Sequence, residues 1–524
     1  MKYFKKVSSI LLMLLVSCSN DSADNPSEEQ EELNQCDAAI NLILGDVSND
    51  TAEISWNTTG NYDSFEIEYG SQEFSLGEGT RLNSNSKDIT LVSLDLNSTI
   101  DVYVRGLCES VFSDWSSPVS VTTTCNLGFY DGDISLSTQS EVDSFGGLCY
   151  NGIDGTLIIN SSESEDAITD LSNLKGLTEI KGSLFIEENE KLTNLNGLEN
   201  LSSAGALIIR RNRGLLSING LQNLQKLTAE AADFEESAPI TGIYILSNLS
   251  LSNLTGLENI TELTDLVIAE NFALEDFEGL SNLTTIHNTL SILFNHSLNN
   301  LAGLESIENV KKLTLQFNDN LRNLEGLDGL ESVTESMTIQ NNKNLESLDG
   351  MDSILNLETI TIESNPVLKS IEQLNDLNYA RVISLKSLPV LNNLNGISLS
   401  NIGTFLEIDN CDSLINFEGI RIGNEITAFI QVTFCQNFIS FNGLEGLTEI
   451  EGFLITDNPN LTTLNGLENL ILSRNYIRID NCFELRDYCA LTNLIQDGQL
   501  MGTWDVYNAG FGKTLEEMQV GDCD

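Results

Sequence analysis

The sequence predicts a mainly β chain, an N-terminal β-sandwich followed by a β-solenoid of about fourteen rungs, and three observations carry that reading. Between Cys36 and Cys125, short runs alternate apolar and polar residues between Gly, Asn and Ser turns. Beyond residue 150 one phrase returns at steps of 23 or 24 residues, and a fixed period of that size marks a stacked repeat. With 524 residues the chain is too long for one ordinary core, so sandwich and solenoid are separate bodies.

Composition narrows the function classes. The chain sets 25 Lys and Arg against 78 Asp and Glu, a formal charge of −53. A field of that sign repels phosphate backbones and anionic membrane surfaces, so we expect no nucleic-acid partner. Two histidines leave little equipment for metal or general-base chemistry.

Residues 1–18 place a basic head, Met-Lys-Tyr-Phe-Lys-Lys, before a short apolar run that ends Leu15-Val16-Ser17-Cys18. The run is an export signal, too short to span a bilayer. Its last four residues resemble the bacterial lipobox, which implies that Cys18 becomes the lipidated first residue of a mature lipoprotein. Residues 19–35 are polar and acidic and cannot pack, so they read as a disordered tether. An acidic stretch after the lipidated Cys also resembles the signal that carries lipoproteins of Bacteroidetes-type bacteria to the outer face of the outer membrane; the alternative is a mere spacer. The expected location is therefore the outer membrane, facing the cell exterior, with contact to it only through the lipid on Cys18.

Residues 36–125 contain Thr51-Ala-Glu-Ile-Ser-Trp56, Ser64-Phe-Glu-Ile-Glu-Tyr69 and Ile100-Asp-Val-Tyr-Val-Arg105, with Trp56 on an early strand. Together with Ser113-Asp-Trp-Ser-Ser-Pro-Val-Ser-Val-Thr-Thr, the segment resembles a fibronectin type III domain. Ile100 departs from that family, which usually has its corner Tyr there. We expect this domain to act as a rigid spacer.

Residues 126–156 read as an N-terminal cap, 157–488 as the repeats and 489–524 as a C-terminal cap. The phrase is clear in Leu266-Val-Ile-Ala-Glu-Asn271 and Leu290-Ser-Ile-Leu-Phe-Asn295, each followed by apolar residues and Gly-Leu. Its ladder position carries Asn189, Asn212, Asn248, Asn271, Asn295, Asn318, Asn342, Asn365, Cys411, Cys435, Asn458 and Cys482, with position 388 between them. The 36-residue step from Asn212 to Asn248 holds an insertion from Thr228 to Pro239. In each rung Leu-x-Ile is a brief strand with both apolar residues inward, and stacked rungs share one core. At about 4.8 Å per strand the repeats predict a rod of roughly 65 Å. The ladder Asn points inward, where its amide bonds backbone groups of the turn and neighbouring rung. This pattern resembles leucine-rich repeats and, more closely, the receptor L domains that bind ligand in insulin-receptor and epidermal-growth-factor-receptor ectodomains. The resemblance implies a recognition surface. Lipobox, fibronectin-like domain and L-domain-like array together look like cell-surface proteins of flavobacteria.

The cysteines divide by position. Cys411, Cys435 and Cys482 read as small buried ladder residues; Cys411 and Cys435 stand on successive rungs, although two inward side chains do not readily meet the disulfide torsion. Cys36, Cys108, Cys125, Cys149, Cys489 and Cys523 lie at the sandwich and the solenoid ends, where export permits bonds. Solenoid ends need caps, so we expect Cys125 with Cys149, Cys489 with Cys523, and Cys36 with Cys108, among the fifteen pairings that about six cysteines allow.

No nucleophile elbow, phosphate loop, zinc motif or calcium repeat occurs, so no catalytic residue, cofactor or metal is expected, and we read the chain as not an enzyme. Between the inward residues of successive strands stand Ser291, Thr314, Thr338, Thr361 and Ser384, a hydroxyl stripe. Beside it lie Phe294, Phe317, Gln316 and Gln340, and further along Phe434. Aromatics beside small polar groups suit a carbohydrate or a protein loop; stacked Thr also stabilises a sheet without any ligand. Arg210, Arg211 and Arg213 form the densest positive cluster, most plainly explained by neutralising acids such as Glu187 and Glu188. The expected function is non-enzymatic cell-surface recognition, in adhesion or protein–protein interaction, by a long solenoid binding face; the alternative is a glycan-binding surface lipoprotein of a polysaccharide uptake system.

Overall fold

The computed structural model describes residue 36 and residues 40–124, 126–161, 165–228, 241–377, 379–399, 402–423 and 427–524. The export signal, Cys18, the tether, Cys125 and most of the insertion after Thr228 lie outside the described residues. The chain divides into two compact units, one within residues 1–94 and 98–122, the other of residues 95–97 and 123–524.

In the first unit the alternating runs form two antiparallel sheets, a β-sandwich. Ile40–Val47, Ala52–Thr58 and Asp88–Leu91 make one sheet. Thr80–Ser84, Ser64–Ser71, Thr99–Cys108, Val111–Phe112 and Val119–Thr122 make the other. Period two sends Ile54 and Trp56 from the first and Phe65, Ile67, Val102 and Val104 from the second into one core, which Ile100 joins. Trp56 meets Phe65 edge to face with centroids 5.1 Å apart. Cys36 is bonded to Cys108, Cα to Cα 5.9 Å. Glu68 is fully buried, yet it accepts from the backbone N–H of Gly77 and Gly79 and from Arg81 Nε at 2.6, 3.0 and 3.1 Å, which offsets the cost of its buried charge.

The second unit is a β-solenoid. Among the described residues its main sheet has sixteen strands, all parallel, from Ile134–Leu136 to Trp504–Tyr507. The fourteen expected rungs account for the strands from Leu157–Asn160 to Ile477–Asp480; the additional two come from the cap segments, which lack the repeated phrase. Sixteen strands at about 4.8 Å extend the sheet to roughly 72 Å. In the outer rungs short second strands such as Glu179–Ile180 and Ser203–Ala204 form a separate parallel ladder. In the middle rungs that element merges through a bulge into strands of eight or nine residues, such as Glu262–Ala269 and Thr285–Leu293.

Each part of the phrase has a physical task. Leu290 and Ile292 of the strand, and Leu298, Leu301 and Leu304 of the return path, are all fully buried in one continuous core. The Gly of Gly-Leu permits close stacking: Gly197 has φ 110°, and a Cβ there would stand 1.9 Å from Leu171 O of the preceding rung. The residue before each ladder position turns left-handed, as at Phe294 and Phe317 (both φ 57°) and Phe434 (φ 55°), and so swings the ladder side chain inward.

From Asn189 to Asn365 the ladder is continuous. Asn318 Oδ1 accepts from Asn295 N–H at 3.1 Å while its Nδ2 donates to Ile292 O at 2.9 Å, so one amide staples its rung twice to the preceding one. Asn212, Asn248, Asn271, Asn295, Asn342 and Asn365 repeat this pattern. Leu388 ends the amide chain, and thiols continue it: Cys411 N–H donates to Cys435 Sγ at 3.4 Å, and Cys435 N–H to Asn458 Oδ1 at 3.0 Å. Cys411, Cys435 and Cys482 are buried free thiols, so no disulfide joins Cys411 to Cys435. Burial pushes the Cys482 thiol up to about 11 and the Cys435 thiol up to about 12, and raises Cys411 further.

Both ends are sealed by short helices that the repeat period did not reveal. Gln139–Gly147 starts with a capping box between Thr138 and Glu141 and lowers Val142 and Phe145 into the core. Leu515–Gln519 starts with the same device between Thr514 and Glu517 and buries Met518. Cys489 is bonded to Cys523 beside it, Cα to Cα 4.8 Å. Cys149 is also disulfide-bonded.

Candidate ligand-binding face

Strands of eight or nine residues put three outward columns on the main sheet, six, four and two positions before each ladder residue. The middle column contains the hydroxyl stripe. Strand register aligns Ser291, Thr314, Thr338, Thr361 and Ser384 as direct neighbours on five successive strands. Ser291, Thr314, Thr338 and Thr361 are half-buried, and Ser384 is buried with its Oγ donating to Glu407 at 2.8 Å.

The column nearest the ladder aligns Gln316, Gln340 and Glu363, joined in a chain: Gln316 Nε2 donates to Gln340 Oε1 at 2.6 Å and Gln340 Nε2 to Glu363 Oε2 at 2.7 Å. At the strand ends Phe294 and Phe317 stack almost in parallel, with centroids 4.4 Å apart. The residues nominated from sequence therefore form one contiguous patch of hydroxyls, linked amides and a paired ring. Phe434 stands apart from it, five ladder steps beyond Phe317 and exposed.

The column farthest from the ladder holds residues that the sequence reading missed. Phe405 and Phe429 stack with centroids 5.8 Å apart, and Phe429 meets the Tyr476 ring at 5.5 Å, tilted by 72°. Between them Gly452 leaves the space into which Phe429 leans; a Cβ there would stand 3.2 Å from Phe429 Cε2. Alongside, Glu407 accepts from Ser384 Oγ, from Gln431 Nε2 at 3.2 Å and from Lys386 Nζ at 2.9 Å. The hydrogen bond to Glu407 raises the Lys386 ammonium above its usual value, so the cation is firmly charged. The signal was in the sequence: Phe405, Phe429, Gly452 and Tyr476 all stand six residues before a ladder position.

The apolar and charged ends of the face differ. Towards the N-terminal end, Ile158, Phe185, Ala206, Ile208 and Tyr244 form a separate outward apolar cluster. Burial, then the charge of Asp265, raises the Tyr244 hydroxyl above the usual phenol value. On the adjoining turns a concavity of about 470 Å³ is lined by Glu188, Glu190, Arg211, Arg213, Glu270 and Phe272, among others. The arginines there are spent: Arg210 pairs with Glu187, Arg211 with Glu188 at 3.0 Å and Arg213 with Glu190 at 3.7 Å, each across one rung. His296 faces Asp319 at 3.5 Å and His287 faces Glu262 at 3.9 Å. Among the described residues the single cluster of metal-type ligands is Cys489, Cys523 and Asp524, and its two sulfurs are held in a disulfide.

Comparison with known proteins gives a family match over part of the solenoid: residues 149–255 match the receptor L domain model. No curated protein matches the chain. Among solved structures, the chicken CNTN1 FN1–FN3 domains are 16% identical over 17% of this chain and 30% of that one, with a TM-score of 0.16. A structure described as a myokine is 17% identical over 17% of this chain and 96% of its own, with a TM-score of 0.15. Pectate lyase PelI from Erwinia chrysanthemi, in complex with tetragalacturonic acid, is 7% identical over 84% of this chain and 85% of its own, with a TM-score of 0.15.

Proposed function

We propose that this chain is a non-enzymatic recognition protein of a bacterial cell surface, held to the outer membrane by a lipid on Cys18, with a fibronectin type III-like spacer and a solenoid face that engages a surface partner. The observation that carries this reading is the face itself. Five hydroxyls in direct register, a run of linked amides and a stacked ring pair lie on one parallel sheet, held rigid by the double staples of the ladder. Rigid, ordered side chains lose little entropy when a partner docks. The receptor L domain match over residues 149–255 supports the same class of function. The Leu15-Val16-Ser17-Cys18 sequence supports the anchor.

Two experiments test the parts separately. Cells that make the full chain are expected to adhere to one another or to a surface, and the triple variant Thr314→Arg, Thr338→Arg, Thr361→Arg to lose that adhesion while keeping its melting temperature. Unchanged adhesion by a folded triple variant rules out this patch as the contact. Metabolic labelling with a radioactive fatty acid is expected to mark the wild type and not Cys18→Ser; equal labelling removes the anchor.

A further inference from the structure

We propose that the ledge formed by Phe405, Phe429 and Tyr476, with the polar row Lys386, Glu407 and Gln431 beside it, binds a neutral polysaccharide. The inference rests on the recognition reading above and assigns it a second site and a ligand class. Sugar rings present an apolar C–H face and a rim of hydroxyls, and a site for them combines aromatic surface with a few fixed polar groups. Here three half-buried rings hold one another in place by a stack and an edge contact. The ledge runs over four successive rungs, about 15 Å, with Tyr476 just ahead of the strand Ile477–Asp480, and is long enough for several sugars in a line. Gly452 is the device that makes it continuous, because any larger residue would crowd Phe429 and meet Tyr476 O at 2.6 Å.

Charge selects the ligand class. The ledge's neighbours cancel among themselves, Lys386 against Glu407 at 2.9 Å and Arg478 against Asp480 at 3.4 Å. Among the described residues no local cation is left over for an acidic sugar, and the chain as a whole carries −53, which repels a polyuronate. Glu407, Gln431 and Ser384 are already hydrogen-bonded to one another and keep further lone pairs and donors for ligand hydroxyls. A protein partner would instead seek a deep pocket for an anchoring side chain, and the shallow columns here favour the sugar.

The test is affinity electrophoresis of the purified full chain in gels that contain laminarin, xyloglucan or mannan, with polygalacturonate as the anionic counterpart. Retardation by at least one neutral polysaccharide is expected, weakened about tenfold or more by Phe429→Ala with Tyr476→Ala. Gln431→Leu, which leaves the rings in place, is expected to weaken it several-fold, and Ser281→Arg, at an exposed turn of the return path outside both patches, to leave it unchanged. Matching circular dichroism spectra show that each variant is folded. Retardation by polygalacturonate alone, by none of the four, or equally by wild type and ring variants overturns the proposal. If the ring variants are silent while Thr338→Arg abolishes cell adhesion, the ledge falls and the recognition reading stands. If no face variant changes either readout, both fall.

Discussion

From Asn189 to Asn365 successive rungs are tied by side-chain amides, whereas from Leu388 to Cys482 the same position carries Leu, Cys, Cys, Asn and Cys. The backbone does not register the change. The left-handed residue before the ladder has φ 57° at Phe317 and 53° at Asn410, and the 23- or 24-residue step continues. What changes is the interior, where Phe417, Phe438, Phe441 and Phe453 pack edge to face in the thiol half. One rung geometry is thus held in two ways, by an unbroken run of amide staples in the first half and mainly by aromatic bulk in the second, where Asn458 alone repeats the double staple. An amide ladder penalises any slip of register, because a shifted rung leaves buried amides without partners; aromatic packing supplies contact area with less directional demand.

The largest effect should come from removing a staple in the amide half. Asn318→Leu leaves the buried Asn295 N–H without its partner and takes from Ile292 O the second of its donors, beside the strand bond. One orphaned buried N–H and one further lost hydrogen bond cost about 4 kcal/mol together. The reverse exchange, Leu388→Asn, restores an amide where the ladder already ends and is expected to cost within about 1 kcal/mol. Urea denaturation of the two variants measures the asymmetry, and equal losses would mean that the amides are not what ties the first half together.

In the thiol half the burden should lie on the rings. Phe438→Ala is expected to cost about 3 to 4 kcal/mol, against about 1 kcal/mol for Cys435→Ala at the ladder position itself. If Cys435→Ala proves the costlier of the two, the weak Cys411 N–H to Sγ contact carries more than packing does.

This division was only partly legible in the sequence. The period and the inward Leu, Ile and Asn were readable because each rung restates one local demand. The terminal strands Ile134–Leu136 and Trp504–Tyr507 were not, because an end rung packs against a helix on one side and needs no second Leu-x-Ile. Their helices did announce themselves, in Thr138 with Glu141 and Thr514 with Glu517 at capping-box spacing. The hydroxyl stripe was found because it sits inside the repeated phrase. The Phe405, Phe429 and Tyr476 ledge was missed because its residues stand just before the inward apolar pair that opens the repeated phrase, where Phe405 and Phe429 lie on longer strands and Tyr476 just ahead of its strand. The interplay of Gly452 with Phe429 depends on register between rungs, which no single rung encodes.

Alkaline pH should single out the thiol half. A thiol whose folded value is raised contributes its full stability below the unfolded value, about 8.5, and loses it as pH climbs towards the folded value. For Cys482 and Cys435 the folded values are about 11 and about 12, with Cys411 raised further. Stability should therefore fall above about pH 8.5, by roughly 1.4 kcal/mol per thiol for each pH unit up to its folded value. A variant with all three cysteines changed to Ala should show a flatter profile between pH 8.5 and 10.5 (about two units of that slope). Coincident profiles would place the alkaline loss elsewhere. Mass mapping after native alkylation should find these three thiols unmodified, since they are buried.

The smallest difference is expected where the halves share a strain. Phe294 and Phe434 both sit left-handed, at φ 57° and 55°, a conformation that Asn tolerates better and that Asn341, Asn410 and Asn481 already adopt in this chain. Phe294 gains from its stack on Phe317, about 0.5 to 1.5 kcal/mol beyond burial, while among the described residues no ring contact involves Phe434. Phe434→Asn should therefore stabilise the fold by about 0.5 kcal/mol as strain is relieved, whereas Phe294→Asn loses the stack and should come out near neutral or slightly destabilising, by at most about 0.5 kcal/mol. The gap between the two variants, about 1 kcal/mol, measures the stack against a matched background. A gap of zero would mean that the parallel rings contribute nothing to the fold by themselves, leaving any reason for their pairing to what docks on them.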